Sequence, residues 1–292
     1  MPNFSEGRDG AKISRITEAV RAVPGVRVLG LHSDPDHNRS VLTFAGGEDA
    51  VLSGAEALAR ACAAELDLTS QAGEHPRMGV LDVLPFVPLA GTTMGDAVRL
   101  ARRTAEILGS LGYLVFLYGA AATAPHRRDL PDVRRGGYKG VAERLTDPRW
   151  RPDYGPRVLD PRRGAVAVGA RPLLVAFNAF LDTDDVEVAR IVARRIRESG
   201  GGLPALKALG FLVGGRAQVS MNLTDLHRTP IHVALEAVRL AAADLGASVE
   251  STELVGLAPL PAILDAARQY LGLRELKPEH VLETGLYDLP LS

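Results

Sequence analysis

The chain has 292 residues, enough for one large or two ordinary domains, and its 46% hydrophobic and 24% charged content is that of a globular protein. A net charge of −1 excludes a general nucleic-acid or polyanion binder, and no apolar run approaches the roughly 20 residues that a membrane span needs. The single cysteine, Cys62, lies in an apolar helical pattern and has no intrachain partner, which, with no signal peptide at Met1-Pro2-Asn3, predicts the reducing cytoplasm.

Pro2 to Gly7 reads as a turn. Ile13, Ile16, Ala19, Val20 and Val23 recur at helical spacing and stop at Pro24-Gly25. Val26–Leu31 and Ser40–Phe44 read as strands separated by a polar loop, His32 to Arg39. An Ala-rich helix over Ala50–Leu66 follows, then Gly73-Glu74-His75-Pro76-Arg77-Met78-Gly79 leading into an apolar strand, Val80 to Leu89. A helix is predicted over Thr93–Leu108 and a buried strand over Leu114–Tyr118. From Pro125 to Arg163 the chain is rich in proline and nearly aperiodic apart from a helical stretch around Tyr138–Leu145; long irregular segments inside compact domains are usually functional. Between Arg127 and Arg171 there are 12 Lys/Arg against 6 Asp/Glu, a local basic excess that suggests an anionic small molecule or an inter-subunit pairing. Strands at Ala165–Val168 and Leu173–Phe180, a helix from Asp184 to Glu198 capped by Asp182 or Thr183, strands at Ala208–Val213 and Ala217–Leu223, a helix over Pro230–Leu245, a strand over Ser248–Leu254 and a last helix over Pro261–Tyr270 complete the pattern. The tail from Lys277 is aperiodic.

Consecutive strands within an alternating chain favour antiparallel neighbours. The prediction is therefore α+β: two α/β sandwich subdomains, each a ferredoxin-like split unit with a mixed or antiparallel sheet and helices on one face, joined near residues 170–182. No repeat is visible at the level of residues.

Polar clusters interrupt the apolar pattern at 34–39, at 73–79, before Gly164, at Arg197-Glu198-Ser199-Gly200 and at 218–225. Gln218, Ser220 and Asn222 alternate with Val219, Met221 and Leu223, so one face of that strand carries uncharged hydrogen-bonding groups, which suits the edge of a planar heterocycle. His32, Asp34, Asp36 and His37 have the chemistry of metal ligands, but Pro35 stiffens their loop and no helical histidine pair accompanies them, so no metal is expected. There is no nucleophile elbow, Walker loop or dinucleotide-binding glycine motif. What remains is proton transfer on a polar substrate. Pro76 forces His75 into an extended conformation, and an imidazole can take a proton from an attacking amine and return one to a leaving amine. Glu74 or Asp82 could hold its tautomer, while Arg39, Arg77 and Arg197 could grip carboxylates.

Pro-Asn-Phe-Ser-Glu-Gly at 2–7, Asp-His-Asn-Arg at 36–39, the 73–79 motif with Leu-Asp-Val at 81–83, Phe-Leu-Tyr-Gly at 116–119, Gly-Ala-Arg at 169–171, Ala-Phe-Asn at 176–178, Arg-Glu-Ser-Gly at 197–200, Ala-Gln-Val-Ser-Met-Asn-Leu at 217–223 and Leu-Val-Gly-Leu at 254–257 together resemble the formiminotransferase domain of glutamate formimidoyltransferases. The resemblance implies transfer of a formimino group from N-formimino-L-glutamate to tetrahydrofolate, in histidine catabolism and one-carbon metabolism. It further implies an N-terminal subdomain over 1–172, a C-terminal one over 173–292, a folate tunnel between them, and a homodimer. The family's catalytic histidine falls on His75. Its folate-binding segment falls on Gly155, Pro156, Arg157, Val158, Leu159, Asp160, Pro161, Arg162, Arg163 and Gly164, where the three arginines could attract folate carboxylates. Asn38, Arg39, Arg77, Asn178, Gln218 and Asn222 are the candidate substrate contacts. Family members begin with a short strand ahead of Pro-Asn-Phe, so with Met1 as the start that strand is expected to be missing or shortened. Some relatives carry a fused cyclodeaminase, so with the chain ending at Ser292 that step is expected elsewhere. Folate-dependent formyl transfer to or from glutamate, or folate binding without catalysis, would retain the same residues.

Overall fold

The structure is a computed structural model that describes residues 1–35, 37–70, 77–89 and 91–286. The chain divides into two compact units, Met1–Arg171 and Pro172–Ser292.

The first unit runs β1 (Asn3–Phe4), α1 (Gly10–Arg21), β2 (Arg27–Asp34), β3 (Arg39–Ala45), α2 (Glu48–Glu65), β4 (Leu81–Phe86), α3 (Met94–Ser110), β5 (Leu114–Gly119), α4 (Leu130–Arg134), α5 (Gly137–Arg144) and β6 (Ala165–Ala170). Its six-stranded sheet has the order β2-β3-β1-β4-β6-β5. β1 is antiparallel to β3 and β4, and β6 is parallel to β4 and β5. The segment from β1 to β4 is thus a split βαββαβ unit, extended by two parallel strands. Pro2–Gly7 is not a simple turn: Asn3 and Phe4 form an interior strand, with Phe4 fully buried.

Alternation in the strands sorts side chains onto two faces. Leu42, Leu84, Val115, Leu117, Val166 and Val168 pack with apolar stripes of α1, α2 and α3, among them Ile16, Leu58 and Ala105. Asp9 caps α1 by accepting the amides of Ala11 and Lys12, and Thr93 and Asp96 form a capping box on α3. On the opposite face Val83, Leu114, Phe116, Ala165 and Ala167 pack with Val133 of α4 and Val141 of α5. The three long helices therefore share one face, and the 125–164 segment covers the other. This double burial is why Leu114–Tyr118 and Ala165–Ala170 are continuous apolar runs.

The arginine-rich segment is organised by its own charges. Arg127, 5% exposed in its side chain, donates to Asp153 at 2.7 Å and to the carbonyls of Arg149 and Arg151 at 2.8 and 2.6 Å. Asp153 in turn accepts the Leu117 amide at 2.8 Å, tying the segment to β5. Arg135 pairs with Asp132, Arg149 with Asp147 and Arg162 with Asp67. Part of the basic excess is thus engaged in ion pairs within the unit.

The second unit runs β7 (Val175–Leu181), α6 (Val186–Ile196), β8 (Leu206–Val213), β9 (Arg216–Leu223), α7 (Ile231–Ala243), β10 (Val249–Val255), α8 (Leu260–Leu271) and the short α9 (Leu282–Leu286). Its sheet, β10-β7-β9-β8, is antiparallel throughout. β7 to β10 is again βαββαβ, in the same spatial order as β1 to β4, so α+β with ferredoxin-like split units describes both halves. Phe177, Ala179, Val219, Met221 and Leu206 face α6 and α7, meeting Val192, Ile196, Leu235 and Val238. The cap of α6 is Asp185, accepting the Glu187 amide at 2.9 Å, rather than Asp182 or Thr183. Asp182 instead holds the Ser248 amide and hydroxyl, both at 2.7 Å.

Candidate active site

His75 and Glu74 lie outside the described residues; the residues that flank them lie at one edge of the first sheet. Because β1 is antiparallel to β3 and β4, while β5 and β6 run with β4, the starts of β3, β4, β5 and β6 share one sheet edge with the end of β1. Arg39, Arg77 and residues 155–164 all lie along it. In open parallel sheets ligands usually gather at the carboxyl ends of strands; here the polar groups gather at the amino ends.

Residues on both sides of the 71–76 stretch are tied to the end of the 155–164 segment. Upstream, the Leu68 amide donates to the Arg162 carbonyl and Arg162 Nε to Asp67, both at 2.8 Å. Downstream, the Val80 amide donates to the Arg163 carbonyl and the Ala165 amide to the Met78 carbonyl, both at 2.9 Å. Gly79 pairs with Gly164 in an isolated bridge, so close that a Cβ on Gly79 would sit 2.3 Å from the Ala165 oxygen. The Ser5 hydroxyl donates to the Gly79 carbonyl at 2.8 Å. Two segments that the sequence keeps some 80 residues apart are thereby one hydrogen-bonded unit.

Arg77 and Met78 leave the motif under further restraint. The Tyr138 amide of α5 donates to the Arg77 carbonyl at 2.8 Å. Asp82, 2% exposed, accepts the Met78 amide at 2.8 Å on one oxygen and Arg134 of α4 at 2.5 Å on the other. Asp82 thus joins the backbone of Met78 to the guanidinium of Arg134. Arg77 also donates to the His37 carbonyl at 3.3 Å, which brings the β2–β3 turn against the same place.

In that turn Asn38 adopts a positive φ of 46°, which asparagine tolerates better than most residues. Its side-chain oxygen accepts the Gly7 amide at 2.8 Å. As a candidate substrate contact it therefore already has a structural duty. Arg39 donates to the side-chain oxygen of Asn3. Burial, with the nearby Arg134 charge adding to it, pushes the Arg39 guanidinium down to about 10; it remains cationic at neutral pH. Burial likewise lowers Arg77.

Of the arginines in the 155–164 segment, Arg162 is held by Asp67, and Arg163 donates to the Leu111 carbonyl at 2.7 Å and lies over the Tyr113 ring. Arg157 is exposed, and Val158 is 79% exposed. Gly155, with φ 82°, lies against the Tyr113 carbonyl, leaving no room for a side chain.

In the second unit Asn178, Gln218, Ser220 and Asn222 lie on the sheet face opposite α6 and α7, with Asn178 beside Ser220 and Phe180 beside Gln218. Asn178 and Gln218 are buried, and the Asn178 amide donates to Glu253 of β10 at 3.0 Å. The alternation read from residues 218–223 places Val219, Met221 and Leu223 in the core. The Arg197-Glu198-Ser199-Gly200 cluster is a turn: the Arg197 carbonyl accepts the Gly200 and Gly202 amides, and Glu198 accepts the Ala205 amide. Among the described residues no group of three or more His, Cys, Asp or Glu could hold a metal ion, and no helix is long and apolar enough to cross a membrane.

Sequence reasoning did not single out Arg134, Tyr138 or Asn3 as parts of this edge. Asn3 belonged to a motif already noted; nothing in the residues around Arg134 announces that it reaches Asp82.

Comparison with known proteins identifies the family. Residues 1–171 match the "Formiminotransferase domain, N-terminal subdomain" family and residues 176–283 the "Formiminotransferase domain" family. The chain is 40% identical over 290 residues to the glutamate formimidoyltransferase of Streptococcus pyogenes serotype M1, covering 98% of this chain and 97% of that protein. It is 41% identical to the glutamate formimidoyltransferase of Thermoplasma acidophilum, covering 97% and 95% of the two chains. It is also 41% identical to the formimidoyltransferase-cyclodeaminase of Sus scrofa, where it covers 92% of its own length and 51% of the relative. With matches running through both split units and the hydrogen-bonded edge between residues 5 and 165, the chain belongs to the formiminotransferase domain family.

Proposed function

We propose that this chain is a transferase moving the formimino group of N-formimino-L-glutamate to tetrahydrofolate, giving 5-formiminotetrahydrofolate and L-glutamate, with His75 as general acid–base. The observation that carries the reading is the full-length similarity to glutamate formimidoyltransferases, 97% of the Streptococcus pyogenes protein being covered. In the proposed reaction the pterin amine attacks the formimino carbon and a new C–N bond forms. His75 takes the proton from that amine. The same proton is returned to the glutamate nitrogen as its C–N bond breaks, so no external acid or base is consumed.

The restraints around residues 77–79 support a role for the adjoining motif, because holding a proton-transfer group against two substrates needs a rigid frame. Arg157 is the arginine of the 155–164 segment best placed to meet folate carboxylates, since Arg162 and Arg163 are engaged with Asp67 and Leu111. Asn178, Gln218 and Asn222 offer both donors and acceptors, as a pterin edge requires. The reading includes a cytoplasmic homodimer, with the catalytic histidine in the subdomain over residues 1–172, tetrahydrofolate as co-substrate and no metal.

His75→Ala tests it. Turnover should fall by roughly two to four orders of magnitude, while tetrahydrofolate binding by calorimetry stays close to wild type. Near-normal turnover in that variant would remove His75 from the mechanism.

A further inference from the structure

The carbonyl and the amide of one peptide group, those of Arg77 and Met78, are both held, the first by α5 and the second by Asp82 of β4. The Tyr138 amide of α5 holds the first at 2.8 Å. Asp82 holds the second at 2.8 Å, and the other Asp82 oxygen is held at 2.5 Å by Arg134 from the end of α4. These contacts are shielded: the side chains of Asp82 and Arg134 are 2% and 15% exposed, and Met78 is fully buried. Gly79 is pressed against Ala165 immediately afterwards.

The end of α4 is itself anchored. Helix ends leave carbonyls without intrahelical donors. At the end of α4, Arg144 of α5 donates to the carbonyls of Val133 and Arg135 at 2.7 and 2.5 Å, while its guanidinium lies 4.7 Å from the centre of the Trp150 ring. Arg134 therefore projects from a braced helix end onto a carboxylate that grips the backbone three residues after His75.

We infer that Arg134 is a positioning residue for the transfer reaction: by holding Asp82 it fixes the Met78 amide and so the chain that leaves the candidate catalytic motif. This rests on the formiminotransferase reading for its kinetic consequence, but the restraint on Met78 stands without it. Removing the guanidinium leaves a buried carboxylate that must seek another partner, which loosens its hold on the Met78 amide. A displacement of about 1 Å at a reacting group costs up to about 100-fold in rate, and a group acting only on alignment in the transition state lowers kcat rather than raising KM.

The test compares wild type with Arg134→Met, Arg134→Lys and Asp82→Asn, measuring kcat and KM for formiminoglutamate and tetrahydrofolate per folded molecule, and hydrogen exchange at the Met78 amide. Arg134→Met should lower kcat about 10- to 100-fold with both KM values nearly unchanged, and should speed Met78 exchange. Arg134→Lys, which keeps one charged donor for Asp82, should recover most of both losses. If Arg134→Met does not fold, Asp82→Asn should give the same kcat-specific loss. A raised KM with unchanged kcat, or Met78 exchange at the wild-type rate in Arg134→Met or Asp82→Asn, would overturn the assignment. Should wild type transfer nothing from formiminoglutamate, the proposed function fails, and Met78 exchange alone then decides the role of Arg134.

Discussion

Gly79 illustrates how much of the candidate site depends on single positions. It has no special φ; its requirement is space, because the backbone of residues 163–165 passes where a side chain would be. That closeness allows the Val80 amide to reach the Arg163 carbonyl and the Ala165 amide to reach the Met78 carbonyl. Gly79→Ala should therefore cost about 1–3 kcal/mol, the usual penalty of overpacking a close contact, and should depress turnover more than the stability loss alone explains. Chemical denaturation together with kinetics checks this; wild-type stability in the alanine variant would mean the two segments can part without consequence. Asn38 makes a different point at the same scale. An asparagine in a polar turn invites a ligand-binding role, and here its oxygen also accepts the Gly7 amide.

At the scale of elements, the 125–164 segment separates what was legible in the sequence from what was not. Regular strands and helices could be read because burial imposes a period: Ile13, Ile16 and Val20 on α1, and Val219, Met221 and Leu223 on β9, repeat at helical and strand spacing. The segment from Pro125 to Arg163 has no such period because ion pairs and side-chain–backbone bonds organise it, and these link residues at irregular separations, such as Arg127 with Asp153 and Arg134 with Asp82. Breaking the Arg127–Asp153 pair should cost about 3–5 kcal/mol, since it strands a buried carboxylate. Arg127→Met measured by urea unfolding tests this, and adding Asp153→Asn should return part of the loss. An Arg127→Met protein as stable as wild type would show that the segment is held by its apolar contacts, Val133 and Val141 with Phe116, rather than by charge. The missed strand at Asn3–Phe4 has another cause: two residues cannot display a period, and only their neighbours β3 and β4 reveal them.

For the whole molecule, the repetition of one split βαββαβ topology in both units is a property of connection order that residue-by-residue comparison does not expose. Each unit places polar groups on the central part of its sheet: Asn3 and Arg39 in the first, Asn178, Gln218 and Asn222 in the second. The functional account assigns the first set to the neighbourhood of the transfer chemistry and the second to recognition of a heterocycle. Its central claim is the identity of the group moved, and a donor comparison tests that most directly. Purified protein is mixed with tetrahydrofolate and either N-formimino-L-glutamate or N-formyl-L-glutamate, and the folate product is followed by absorbance. The account predicts catalytic formation of 5-formiminotetrahydrofolate from the formimino donor; tight tetrahydrofolate binding without transfer from either donor, or faster transfer from the formyl donor, would contradict it.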